Sequence, residues 1–344
     1  MAGKARIGLM GFGRIGRNVF RLLQPHQDVQ VEAIVDIAEP EGLAYLLKYD
    51  TIHRRFPEPV ELRDSSLYIK NRSIPIIKAK EPGEVDWKEL GVGIVVEATG
   101  GRYNTAAWCQ RHLDAGADRV ILAHAPENLD DMDILVMGVN DDVLGPDDRM
   151  ISLGSNTSNA VAPILKTLND EFGVERAFFT TVHAFTNYQR LADVPAEDLR
   201  NSRSAATNII PAETNSPQIL EHLLPELEGR ISGMALNVPV PDGSAVDLVT
   251  IMERPVTAAE VNMAIHRAAQ TRFPHIVEYV EDPIVSSDVI GSPYSANFDS
   301  QATLVVDGTM VKTVTWFDNG WGYSARVVEL IKKMAAFQPA EVPA

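Results

Sequence analysis

Through the first 150 residues, short apolar blocks alternate with amphipathic stretches. Residues 6–10 read as a strand, and Val19, Phe20, Leu22 and Leu23 beyond the next glycines recur at helical spacing. A second strand over 29–35 ends at Asp36. Further strand-like runs cover 67–70, 74–78, 92–98, 119–123, 134–138 and 150–153, and a helical pattern over 104–115 carries Trp108 and Cys109. Strands alternating with helices predict an α/β fold whose N-terminal part is a doubly wound parallel sheet.

The pattern changes after residue 152. A helix opens near Thr157 with Val161, Ile164, Leu165 and Leu168 on its apolar face, and a strand over 176–184 carries His183. Residues 185–208 are irregular and polar, and hold Arg190, Arg200 and Arg203; a structureless run of that length is usually functional. A helix over 216–224 and strands over 231–240 and 245–253 follow. Thr257 and Glu260 then form a capping box for a helix to 272. Strands over 304–306 and 310–316 flank Asp307-Gly308, a hairpin signal, and a last helix runs from about 324 to 335. The second part therefore reads as a C-terminal α+β domain on a mostly antiparallel sheet. The expected division is 1–152, rejoined by the C-terminal helix 322–337, and 153–321 with the 185–208 loop. Residues 337–344 read as a loose tail.

Composition narrows the class. The 344 residues suffice for two cores, and the formal net charge of −16 argues against a nucleic-acid partner. No run approaches a membrane span and no signal-peptide core follows Met1. The one cysteine, Cys109, permits no disulfide within the chain, which fits a reducing, cytoplasmic setting. It lies in a helical apolar pattern and reads as core packing.

Two stretches carry candidate chemistry. Gly11-Phe12-Gly13-Arg14-Ile15-Gly16 is G-x-G-x-x-G between a strand and a helix, the setting of a Rossmann dinucleotide turn. Gly11 allows the tight turn, Gly13 the approach of a pyrophosphate, and Gly16 the packing of helix on strand. Asp36, about 20 residues on, accepts from a ribose 2′-hydroxyl and repels a 2′-phosphate, so NAD is expected rather than NADP. The alternative is an α/β domain with an empty switch point. The second stretch is 152–163. Ser155, Thr157 and Ser158 open a helix there, and its N-terminus suits an anion or a developing oxyanion. At its tip stands Asn156.

The chain resembles the glyceraldehyde-3-phosphate dehydrogenase family over nearly its whole length. The matching runs, in order, are Gly11 to Arg17, Lys48-Tyr-Asp50, Glu97-Ala-Thr-Gly100, Met137-Gly-Val-Asn140, Thr180-Thr-Val-His183, Asn208-Ile-Ile-Pro211, Pro225-Glu-Leu227, Gly233-Met-Ala235 and Asp318-Asn-Gly-Trp-Gly-Tyr-Ser324. The resemblance implies a homotetramer. It also implies a cofactor held by the glycine turn, Asp36, Thr99, Gly100, Asn319 and Tyr323. In that family a cysteine thiolate attacks an aldehyde, NAD takes the hydride, and phosphate releases the thioester. The family's Ser-Cys-Thr-Thr-Asn-Cys corresponds here to Ser155-Asn-Thr-Ser-Asn-Ala160, so the nucleophile falls on Asn156. Its phosphate-binding arginine corresponds to Asn237.

The resemblance with this departure at Asn156 points to an NAD-dependent oxidoreductase without acylation. His183 would be the acid/base, Asn156 would polarise a carbonyl, and Asn319 would hold the nicotinamide carboxamide. A small anionic substrate would be held by Ser155, Thr157, Thr186, Thr214, Asn237 and Arg203, with no metal. Competing readings make His183 a core histidine and Asn156 a helix cap. The chain would then be a catalytically dead NAD-binding homologue with a regulatory or assembly role. Engineered inactivation of an ordinary dehydrogenase is a third reading, against which Ala160, Asn237 and Tyr188 also differ.

Overall fold

The computed structural model describes residues 4–101 and 103–337; the tail expected from 337 lies, from 338 on, outside them. The chain divides into two compact units. One comprises residues 1–135, 142–154 and 324–344, the other residues 136–141 and 155–323.

The first unit is built on a nine-stranded sheet. From edge to edge its order is Asp133–Ile134, Met150–Ser152, Arg119–Leu122, Ile94–Glu97, Ala5–Met10, Val29–Asp36, Arg72–Lys78, Ser66–Ile69 and Val60–Arg63. The strands pair in parallel as far as Arg72–Lys78, after which a meander adds two antiparallel strands at the edge. The chain leaves Ala5–Met10 toward Val29–Asp36 and later returns to its other side through Ile94–Glu97. Strand order therefore reverses beside the first strand, where α/β sheets bind ligands at their carboxyl ends.

The second unit holds a seven-stranded sheet in the order Ile210–Ala212, Ile231–Val238, Val174–Ala184, Ser244–Met252, Met310–Phe317, Ala296–Val306, Val277–Val280. Most pairings are antiparallel; Val174–Ala184 with Ile231–Val238, and Val277–Val280 with Ala296–Val306, are parallel. The helices Asn156–Phe172, Ser216–Leu223 and Ala258–Thr271 pack on this sheet and on one another, burying Phe179, Leu248 and Val311.

Several sequence expectations shift. The strand expected over 134–138 stops at Ile134, because Gly138 takes φ +79° and Asn140 Oδ1 accepts from Val136 N, closing a turn. Ala296–Val306 begins eight residues before its apolar run. Its inward Asn297 and Asp299 are buried yet satisfied by Trp316, through the carbonyl and the indole N–H. The helix Pro40–Lys48 and the strands Val60–Arg63 and Val277–Val280 were not expected at all.

Candidate functional site

In the first unit the glycine turn is built as its spacing requires. Gly11 sits at φ +90°, and a Cβ there would stand 2.6 Å from the Ala98 carbonyl. A Cβ on Gly16 would stand 2.1 Å from the Gly11 oxygen, so the helix Arg14–Leu23 packs directly on the turn. Above Gly13 there is open space, and no side chain caps the helix, which leaves its first N–H groups turned to an anion. Phe12 is buried edge-on to Phe20; its backbone N donates to Asp36 Oδ2 at 2.7 Å, and its carbonyl accepts from Arg17 Nη1 at 2.8 Å. Asp36 Oδ1 accepts from Ala38 N at 2.9 Å, fixing the carboxylate at the strand end. Arg14 and Ile15 are half-buried. Gly11, Gly13, Asp36, Ile37, Thr99 and Tyr103 help line a cavity of about 530 Å³. Gly100 takes φ +101° beside it in sequence.

Behind Thr99 lies a buried network that sequence reasoning missed. Glu97 Oε1 accepts from the Thr99 amide at 2.8 Å and from the Thr99 hydroxyl. Its Oε2 accepts from the Trp108 indole at 2.9 Å and meets His112 Nε2 at 3.0 Å. Trp87 Nε1 donates to His112 Nδ1 at 3.1 Å, so the proton of a neutral His112 sits on Nε2, facing Glu97. Only the Glu97 to Thr99 spacing in sequence hints at this arrangement. Cys109 is fully buried beside it. Burial first, and the charge of Glu97 second, push its thiol up to about 12.

In the second unit the helix Asn156–Phe172 starts one residue earlier than expected, and its cap is Ser155. The Ser155 hydroxyl accepts from Ser158 N at 2.9 Å, and Ser158 Oγ accepts from Ser155 N in return. The reading of Asn156 as the cap is therefore corrected: it is the first helical residue. Its Oδ1 accepts from Thr157 N at 2.7 Å, and its Nδ2 donates to the Asn319 carbonyl at 2.9 Å. Asn319 Oδ1 accepts from the Ser244 hydroxyl at 3.2 Å, and Ser244 Oγ accepts from Ala184 N at 3.0 Å. His183 Nδ1 donates to the Ala184 carbonyl at 2.6 Å. A short chain of bonds thus links Asn156 to the end of the strand that carries His183.

The remaining candidates divide. The hydroxyls of Thr214 and Ser155 both meet Ser216 Oγ, at 3.0 and 2.9 Å, a hub the sequence did not flag. Thr157 is buried. Asn237 pairs in register with His183 on the neighbouring strand and is buried. Thr186 turns its hydroxyl to Gln189, and Arg203 is exposed and paired with Asp193 at 3.3 Å. Tyr323 is buried, which raises its phenol and keeps it protonated.

Comparison with known proteins decides the family. A sequence profile described as the glyceraldehyde 3-phosphate dehydrogenase NAD binding domain matches residues 5–105, and one described as the C-terminal domain matches 155–319. The glyceraldehyde-3-phosphate dehydrogenase of Geobacillus stearothermophilus is 44% identical over 332 residues, covering 96% of this chain and 98% of its own. That of Kitasatospora aureofaciens is 46% identical over 333 residues (96% and 99%), and glyceraldehyde-3-phosphate dehydrogenase 2 of Bacillus subtilis 43% over 334 (97% and 97%). The chain belongs to the glyceraldehyde-3-phosphate dehydrogenase family. It is an NAD-binding oxidoreductase of that family, with the family's Rossmann unit and its mostly antiparallel second unit. The first unit fits NAD on its own terms. The space over Gly13 and the uncapped helix suit a pyrophosphate, and the fixed Asp36 carboxylate suits an unphosphorylated ribose. Among the described residues no helix is long and apolar enough to cross a membrane.

Proposed function

We propose that this chain is an NAD(H)-dependent oxidoreductase that works without an enzyme-bound thioester. It would move a hydride directly between nicotinamide and a small anionic carbonyl or alcohol compound: a phosphonate, phosphate or carboxylate. The observation that carries the reading is Asn156 at the start of its helix, on the position where the family motif has the nucleophilic cysteine. A carboxamide is not nucleophilic near neutral pH. Cys109 cannot substitute, because it is buried in a core cluster with Leu113, Val120, Leu122 and Met132, and its thiol is pushed up to about 12. Bound NAD supplies or takes the hydride. With Nδ1 committed to the Ala184 carbonyl, His183 gives or takes the substrate-oxygen proton at Nε2. Asn319, whose Nδ2 bonds to no other described residue, has a donor for the nicotinamide carboxamide. Ser155, Thr157, Thr186, Thr214, Asn237 and Arg203 remain the substrate-binding set, with Arg203 drawn from Asp193.

A second reading has one observation in its favour: both ends of the Asn156 amide are already bonded within the unit. Asn156 is then structural, and the chain binds NAD for a regulatory or assembly role. NADH oxidation across small keto- and aldehydo-acids and phosphonates separates the two. Direct redox predicts turnover that His183→Ala lowers by about 100-fold or more. Engineered inactivation would instead let Asn156→Cys restore phosphate-dependent aldehyde oxidation, a restoration expected to fail or be feeble with Asn237 in place. Tight NADH binding without turnover on any carbonyl would favour the second reading.

We also propose a cytoplasmic homotetramer. Its support is the sheet face turned away from the helices in the second unit, where Phe178, Val249, Lys312 and Leu304 stand side by side in register and Val306 pairs with Met310. Phe178, Leu304, Val306 and Met310 are all exposed, apolar positions around the Lys312–Asp247 ion pair that a neighbouring subunit would cover. Light scattering on the intact protein tests the assembly.

A further inference from the structure

The first unit carries a second concavity at the far end of its sheet. Lys4 precedes the strand Ala5–Met10, Val29 opens Val29–Asp36, and Arg72 opens Arg72–Lys78. All three residues line this concavity, whereas Met10, Asp36 and Lys78, at the carboxyl ends of the same strands, line the cofactor cavity. The concavity measures about 270 Å³. That is the liquid share of roughly nine waters, which suits a single ring or a short chain.

Its floor is apolar: Phe20, Leu23, Val31, Ile69 and Ile74 are buried. Its rim is cationic: Lys4, Lys70 and Arg72 line it with His26, and no described aspartate or glutamate does. This runs against the balance of a chain with 47 acidic and 31 basic residues. The cations differ in how far they are committed. Lys70 Nζ stands 3.1 Å from Glu58 Oε1. Arg72 Nη2 donates to the Val31 carbonyl at 2.6 Å, which fixes the guanidinium and leaves Nη1 and Nε as donors. Lys4 is exposed, and no ion pair joins it to another described residue. His26 Nδ1 accepts from Lys332 Nζ at 2.8 Å, so the neutral ring carries its proton on Nε2.

The helix Arg14–Leu23 ends here, and bare carbonyls at its last turn would repel an anion. They are engaged. The Phe20 carbonyl accepts from Gln24 Nε2 at 3.0 Å, that of Arg21 from Gln24 N at 3.3 Å, and that of Leu23 from His26 N at 3.0 Å. An apolar floor beneath cationic donors favours a ligand with two parts. A neutral hydrocarbon would leave Lys4 and Arg72 unanswered, and a small inorganic anion would gain nothing from the floor.

We infer that this concavity is a binding site for a small amphipathic anion, a carboxylate or phosphate monoester joined to one ring or a short chain. Lys4 and Arg72 answer its charge, and the floor takes its apolar part. The assignment is independent of the redox reading.

Phenylacetate is titrated into the full-length, NAD-saturated protein, with calorimetry for affinity and the methyl NMR signals of Leu23, Val31, Ile69 and Ile74 for location. Saturable binding below about 20 mM is expected, with the shifts concentrated at those methyls. Phenylacetamide keeps the ring without the charge, and acetate keeps the charge without the ring. Each binds at least about tenfold more weakly. Lys4→Gln and Arg72→Gln each weaken phenylacetate by about fivefold or more and leave NAD affinity unchanged. Because Arg72 also holds the Val31 carbonyl, Lys4→Glu carries the test if Arg72→Gln does not fold. Absence of saturation, equal binding of phenylacetamide, shifts confined to the cofactor cavity or the second unit, or undiminished affinity in the folded Lys4→Glu protein would overturn the assignment.

Discussion

Replacing Glu97 with glutamine changes one atom and almost no volume, yet it should destabilise the first unit substantially. Three N–H groups and a hydroxyl surround the two carboxylate oxygens of Glu97, which is 1% exposed. A glutamine must put its NH₂ on one side or the other. On the Oε2 side it would face the Trp108 N–H, which can only donate. It would also face His112, whose tautomer is held by Trp87. On the Oε1 side it faces the Thr99 amide, although the Thr99 hydroxyl can rotate to accept. The second placement is less costly. It still loses one charge-assisted bond and leaves a buried N–H unpaired, about 2–4 kcal/mol together. With a urea m-value of about 2 kcal/mol/M, the midpoint of the transition seen by Trp87 and Trp108 emission should fall by roughly 1–2 M. The Thr99 amide should lose protection from hydrogen exchange. Because Thr99 lines the cavity, the NAD dissociation constant should rise as well. A Glu97→Gln protein as stable as the wild type within about 0.5 kcal/mol, with Thr99 still protected, would refute the donor count on which the reasoning stands.

Two further outcomes follow from the same unit. Gly13→Ala meets open space at an ordinary φ of −68°, so the urea midpoint should hold while NAD affinity drops about tenfold or more, because the added methyl occupies cofactor space. Gly16→Ala, 2.1 Å from the Gly11 oxygen, should lower both, and calorimetry beside urea titration separates the pair. Cys109 should resist iodoacetamide in the folded protein throughout the neutral range and react only on unfolding. Its folded-state value of about 12 lies above the reference of 9.0, so the fold holds a proton that the unfolded chain gives up. The stability linked to this thiol is complete below pH 9 and is lost as pH rises through 12. Cys109→Ala should flatten that part of the urea-midpoint profile.

The parts of the fold legible in the sequence are those written locally. Strand, glycine turn and helix lie within twenty residues. Thr257 and Glu260 form the expected capping box, and Asp307-Gly308 turn with φ of 51° and 72°, as a tight hairpin requires. Pro40–Lys48 escaped notice because Tyr45 and Leu46 are exposed and blur the stripe made by Leu43, Ala44 and Leu47. Val277–Val280 and the start of Ala296–Val306 were hidden by polar residues whose inward partners are distant in sequence. The candidate site divides the same way. His183 and Asn319 stand in short runs shared with the family, and Asn156 stands out as the departure within another. Ser216, Ser244 and Glu97 matter through bonds to residues 2 to 75 positions away, and only folded geometry displays those.

The position of the one sulfhydryl also bears on oxidative chemistry. Peroxide and disulfide reagents attack exposed thiolates. Here the helix start offers an amide, and the sole cysteine is sealed behind Leu113, Val120, Leu122 and Met132. A protein arranged in this way keeps its one thiol out of reach of such reagents for as long as the first unit stays folded.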